Sequence, residues 1–137
     1  MVMTNTMTEL AFDQALEKFI DTFLALHPKN TWPRWFKTHT TYGGKRDANN
    51  QWIFAFTAIP KDALSDGEIW KETSNGTYAL VTINKTTGEN EYVISNTSDK
   101  SVTLFEAIID PITTEVSVIK DIDFDQISST QLLPIRK

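Results

Sequence analysis

The sequence predicts an α+β domain: an N-terminal amphipathic helix packed on a curved antiparallel sheet of about six strands. Three observations predict it. Between Thr8 and His27 apolar residues recur at helical spacing. Beyond Trp32 that period gives way to short runs rich in aromatic and β-branched residues. Gly, Pro, Asn and Asp separate those runs. A helix followed by a series of strands places the helix on one face of the sheet. At 137 residues, 40% apolar and 23% charged, the chain reads as a single domain over residues 1–137.

Residues 1–7 have neither the basic start nor the apolar run of a signal peptide and read as a disordered N-terminus. The helix is expected over 8–27. Phe12, Ala15, Leu16, Phe19, Ile20, Phe23 and Leu24 form one apolar stripe, while Asp13, Glu17, Lys18 and Asp21 fall on other faces. Thr8 suits the cap, and Glu9 complements the positive end of the helix dipole. Pro28 stops the helix by disfavouring helical geometry at His27. The stripe carries three phenylalanines, too much apolar area to leave in water.

The sheet is expected over 32–125. Trp35–Thr41 reads as a strand and Tyr42–Asn50, with Gly43-Gly44 and Asn49-Asn50, as a loop. Gln51–Ala58 reads as a strand apolar on both faces, Trp52, Phe54 and Phe56 on one and Ile53, Ala55 and Thr57 on the other. Glu68–Thr73, Tyr78–Ile83 and Glu91–Ser95 follow as shorter strands, turned at Ser74-Asn75-Gly76, Asn84–Gly88 and Asn96–Lys100. Val102–Ile109 and Glu115–Phe124 form a last pair, turned at Asp110-Pro111. On that final strand Glu115, Ser117, Asp121, Asp123 and Asp125 share the face opposite Val116, Val118, Ile122 and Phe124. Residues 126–137 read as an irregular tail with Leu132 and Leu133 tucked back. This element order resembles the cystatin-like and nuclear-transport-factor-like (NTF2-like) folds, a resemblance that implies a hollow between helix and sheet.

Composition narrows the function classes. There are no cysteines, which removes disulfides, thiolate metal sites and a cysteine nucleophile. The formal net charge of −5 disfavours a phosphate backbone as partner, and Lys45-Arg46 and Arg136-Lys137 do not form a basic stripe. No run approaches the roughly 20 apolar residues that span a bilayer, so no membrane association is expected and a cytoplasmic location is. No phosphate-binding glycine motif and no GxSxG nucleophile elbow occurs. Asp121-Ile122-Asp123-Phe124-Asp125 opens like a calcium loop, but Gln126 stands where glycine is needed and Leu132 where the bidentate glutamate belongs. No catalytic residue, cofactor or metal ligand is therefore assigned. His27 reads as a helix-end residue and His39 as a strand residue facing solvent.

Two features suit recognition. Asp121, Asp123 and Asp125 make an acidic row, and Trp32-Pro33-Arg34-Trp35-Phe36 brings aromatic rings that could anchor a partner. Short, acidic, cysteine-free α+β chains of this kind resemble bacterial immunity proteins. The resemblance implies a non-catalytic protein that binds and neutralises a cognate toxin, a basic protein domain, through Asp121, Asp123, Asp125, Trp32 and Trp35. A second reading is a small-molecule-binding protein or enzyme using a cavity lined by Trp52, Phe54, Phe56, Trp70 and Tyr78, with His39 as base. A third is a homo-oligomerisation module, a homodimer through the second apolar sheet face.

Overall fold

A computed structural model describes residues 8–73, 78–82, 93–95 and 100–135. They include helix α1 (Phe12–Leu26), the four-residue helix α2 (Phe36–His39) and strands β1 (Thr41–Arg46), β2 (Trp52–Ala58), β3 (Glu68–Glu72), β4 (Tyr78–Thr82), β5 (Val93–Ser95), β6 (Val102–Ile109) and β7 (Val116–Lys120). The strands form a four-stranded sheet, β1-β2-β6-β7, and a three-stranded sheet, β3-β4-β5. The pairs β3–β4, β4–β5 and β6–β7 are antiparallel. The α+β class, with an N-terminal helix on an antiparallel sheet, is as expected. The expected turns at Ser74–Gly76 and Asn84–Gly88, and most of Asn96–Lys100, lie outside the described residues. No described helix is long and apolar enough to cross a membrane.

The backbone divides into two compact units. One holds the chain through Trp32 together with Tyr42–Phe56 and Leu104–Ile122. The other holds Pro33–Thr41, Thr57–Thr103 and the chain from Asp123.

In the first unit the inner part of the predicted stripe becomes the core, while Phe12 at its start stays exposed. Ala15, Phe19 and Phe23 of α1 are completely buried. The Phe19 ring meets Phe54, Phe56 and Phe105 at 5.4, 5.3 and 5.7 Å between centroids, and Phe23 meets Phe56 and Phe105 at 4.6 and 4.8 Å. Each ring removed from water contributes about 1.5–3 kcal/mol, a large share of the roughly 5–15 kcal/mol that holds a domain folded.

The helix begins at Phe12, so the expected start at Thr8 is too early. Tertiary hydrogen bonds claim the preceding backbone: Leu10 N–H donates to Pro111 O (2.8 Å), and the Trp52 indole donates to Leu10 O (2.8 Å). Ala11 is the extended cap residue, and its N–H donates to the Gln14 carboxamide (3.0 Å), one half of a capping box. At the other end the His27 N–H still donates to Phe23 O (2.7 Å) before Pro28 ends the helix.

β1 occupies the stretch expected as a loop. Its glycines explain both the expectation and the outcome. A Cβ on Gly44 would lie 2.3 Å from the Phe54 ring, whereas one on Gly43 would meet nothing within 4 Å. Gly44 is thus a strand residue emptied of side chain so that a buried ring can approach the backbone. The turn that follows is closed by Asp47, whose carboxylate accepts the N–H groups of Asn49 and Gln51 (both 2.9 Å), with Asn50 at φ 63°.

β6 returns through Asp110–Glu115 into β7. The Asp110 carboxylate accepts from the N–H groups of Ile112 (2.8 Å) and Thr113 (3.0 Å). These amides, Thr113 foremost, hold the Asp110 carboxyl below its ordinary pKa range. The register skips Ile119: Ala107 pairs with Val118 but Glu106 pairs with Lys120, which is a β-bulge in the edge strand β7. The expected strand to Phe124 stops at Lys120. Asp121 accepts from Ile122 N–H (2.8 Å) and Asp123 from Asp125 N–H (3.1 Å), and the latter caps a 3-10 turn at Phe124–Gln126. Such local bonds compete with a strand ladder. The acidic row is therefore a turn rather than one face of a strand.

In the second unit the expected strand at Trp35–Thr41 is replaced by α2, with Thr41 opening β1. Pro33 suits the start of a helical turn, and Phe36 N–H donates to Pro33 O (3.1 Å). The two threonines then satisfy carbonyls at helical spacing: Thr38 Oγ1 donates to Trp35 O (3.1 Å) and Thr40 Oγ1 to Phe36 O. Their β propensity is outweighed by those bonds and by burial of Phe36. β4 supplies buried Leu80 and Val81 at the middle of the three-stranded sheet. The C-terminal segment is stitched down by Leu133 N–H to Ile59 O (2.8 Å), Lys61 N–H to Gln131 O (2.7 Å) and Ile135 N–H to Thr38 O (2.7 Å). Leu132 and Leu133 are buried, as expected.

Two substitutions test this packing. Phe19→Ala should cost about 3–5 kcal/mol in urea unfolding. Gly44→Ala should lower stability by about 1–3 kcal/mol through overpacking against Phe54, while Gly43→Ala should leave the unfolding midpoint nearly unchanged.

Candidate functional site

The five residues singled out for recognition fall into two clusters, one in each unit. In the first unit, His27 at the end of α1 joins two of them. Its Nε2 donates to the Asp121 carboxylate at 2.7 Å, and its backbone carbonyl accepts the Trp32 indole N–H at 2.6 Å. The imidazole packs near the Phe23 and Phe105 rings (5.2 and 6.4 Å). Trp32 meets Phe23 at 5.5 Å. His27 is thus a helix-end residue, as read, but with a carboxylate partner 94 residues away that no local pattern announces. The pair ties the end of α1 to the end of β7.

In the second unit, Trp35 packs edge-on against Phe36, His39 and Phe124, at 6.0, 6.5 and 6.2 Å. Phe124 also meets Phe36 at 5.4 Å. Trp35 and Phe124 remain half-exposed, and Asp123 and Asp125, the chain neighbours of Phe124, are exposed. The aromatic cluster and these two carboxylates consequently share one small element pair, α2 with the 3-10 turn at Phe124–Gln126. Sequence reasoning named Trp35, Asp123 and Asp125 but not Phe124, which it placed on the apolar face of a strand.

The residues of the cavity reading have structural occupations. Phe54 and Phe56 are buried under Phe19 and Phe23. Trp52 donates to Leu10 O and lies under the Arg46 guanidinium, 4.9 Å from the ring centroid. The Trp70 indole donates to Lys61 O (2.8 Å). Tyr78 is half-buried. His39, half-buried in α2 rather than on a strand, has its Nδ1 hydrogen-bonded with Thr38 Oγ1 (2.7 Å). Among the described residues no three His, Asp or Glu side chains gather as a metal site.

One polar cluster escaped the sequence reading. Lys100 Nζ lies 2.8 Å from Glu68 Oε1 and donates to Ser65 Oγ at 3.3 Å, and Glu68 Oε1 also accepts the Ser65 N–H at 2.6 Å. The ionic side chains are mostly covered, 19% and 16% exposed. Residues 32 and 35 positions apart create it, so no spacing motif could have revealed it. The hydrogen bond from Lys100, with that from the Ser65 amide, holds Glu68 below its ordinary pKa range. Lys100 is committed to Glu68 in an ion pair, so the cluster reads as a clasp between the β3 entry and the β6 approach.

No protein-family model matches the chain, and no curated protein or solved structure matches it.

The clasp carries a pH signature. Because the folded Glu68 titrates below its ordinary 4.5, its contribution is complete above that pH and is lost as pH falls through the lower folded value. Lys100→Met should raise the Glu68 titration midpoint toward the ordinary range, read by carboxyl-carbon NMR, and should flatten this part of the acid loss of stability.

Proposed function

We propose that this chain is a non-catalytic binding protein whose partner is a basic protein, acting as bacterial immunity proteins do by occupying a toxin in the cytoplasm of the cell that makes it. The observation that carries the reading is the acidic run Asp121–Asp125. Its three carboxylates are exposed, and two of them are held by backbone amides of the same run, in a chain of net charge −5. Charges already fixed in place lose little freedom on binding. A negative surface also steers a positive partner toward contact, which raises the association rate more than the residence time. Trp35, half-exposed and braced by Phe36 and Phe124, supplies the kind of rigid aromatic anchor that dominates binding energy. Trp32, tied to His27, offers a second.

The test is kinetic. With the partner purified from the native host, the association rate should fall by about 10-fold or more when salt screens the encounter. The triple reversal Asp121→Lys, Asp123→Lys, Asp125→Lys should slow association comparably at low salt. Trp35→Ala should mainly speed dissociation. A rate indifferent both to salt and to the reversals rejects the reading.

A further inference from the structure

We infer that Asp66-Gly67 is a site of spontaneous backbone isomerisation, and that the clasp of Ser65, Glu68 and Lys100 holds the reaction in check. The inference uses no residue of the partner-binding reading and stands or falls apart from it.

The chemistry belongs to the residue pair. Gly67 has no Cβ, so its nitrogen is free to approach the Asp66 side chain closely. That nitrogen bonds to the Asp66 carboxyl carbon, and its proton leaves with a carboxyl oxygen as water. The product is a cyclic imide. Water then opens the ring at either carbonyl. Opening at the side-chain carbonyl restores aspartate. Opening at the main-chain carbonyl leaves isoaspartate, whose main chain runs through the former side chain. The water lost in closing the ring is regained in opening it, and nothing else is consumed. Asp66 is exposed to that water.

Geometry decides the rate. Glu68 N–H donates to Ser65 O at 3.1 Å, which closes a turn over Asp66 and Gly67. Gly67 sits at φ 83°, whereas Asp66 has no positive φ. This is the pattern of a type II turn, in which ψ at the Asp66 position is about +120°. That ψ points the Gly67 nitrogen away from the Asp66 side chain. Ring closure therefore requires the peptide between the two residues to swing over, which the turn opposes. The clasp in turn holds the ends of the turn. Ser65 N–H donates to Glu68 Oε1 (2.6 Å), and Lys100 Nζ lies 2.8 Å from the same oxygen and donates to Ser65 Oγ (3.3 Å). Glu68 is also anchored as the first residue of β3, paired with Thr82. Isomerisation lengthens the main chain between Ser65 and Glu68 by a methylene, so the turn bond and the clasp lose their register.

The experiment ages the full chain in neutral buffer, digests samples rapidly with trypsin, and measures isoaspartate at Asp66 by mass spectrometry of the peptide Asp62–Lys71. Asn75-Gly76, which forms isoaspartate by loss of ammonia, falls on a different tryptic peptide. A synthetic peptide of the Asp62–Lys71 sequence gives the unrestrained rate. The folded chain should isomerise at least about 5-fold more slowly than that peptide, and Lys100→Met should recover about 5-fold of the rate, as loss of one hydrogen bond predicts. Glu68→Gln keeps an acceptor for Ser65 N–H but removes the ion pair, and it should also speed the reaction. Asp66→Glu should remove the product. Gly44→Ala, which loosens the other unit, should leave the rate unchanged. Thermal unfolding identifies which variants are folded, and the comparison of wild type with peptide needs no variant. A folded chain that isomerises as fast as the peptide overturns the inference. So do clasp variants as slow as wild type, equal acceleration in Gly44→Ala, or an aged peptide without isoaspartate at Asp66.

Discussion

Everything in the first unit depends on the contact of Phe19 and Phe23 with Phe54, Phe56 and Phe105. A helix of 15 residues is marginal in water on its own, so α1 exists because its ring-bearing stripe is covered. The same contact explains why β2 alternates where it crosses the helix, with Phe54 and Phe56 buried. It also explains why β1 must carry a glycine where it crosses the Phe54 ring. Once these rings are seated, the residues flanking α1 have few choices. Leu10 is held from both sides before the helix, and His27 reaches Asp121 after it.

Aspartate does two jobs in this chain. Asp47, Asp110, Asp121 and Asp123 each accept backbone amides within a few residues of themselves, and each stands where a strand ends or turns. The negative charge is therefore a by-product of turn chemistry as much as a surface property. That origin has a physical merit for recognition. A carboxylate pinned by its own backbone is a fixed point charge, whereas one on a long free side chain must be ordered on contact.

How far the sequence could be read follows from the range of the interactions involved. The stripe from Phe12 to Leu24 was legible because helical periodicity is local, and the burial of Ala15, Phe19 and Phe23 followed from apolar area, although Phe12 at its start stays 40% exposed. β2, β4 and β6 were legible for the same reason. The misreadings share a cause. Trp35–Thr41 has strand composition, but Pro33 and two threonine hydroxyls decide for a helical turn. Gly43-Gly44 has loop composition, but the ring that needs the space lies ten positions beyond Gly44. Asp121–Asp125 alternates like a strand, yet its short side chains bond their own backbone. For the candidate site, residue types and exposure were legible. The partners were not: His27 with Asp121, Trp35 with Phe124 and Lys100 with Glu68 are all distant in sequence.

The fit between Gly44 and Phe54 makes two positions a single choice. A ring of that size is admissible at 54 while 44 has no side chain, and a side chain at 44 requires something slimmer at 54. Among relatives of this chain the two should change together or not at all. Their joint pattern would then mark descent with this core more reliably than either residue read singly.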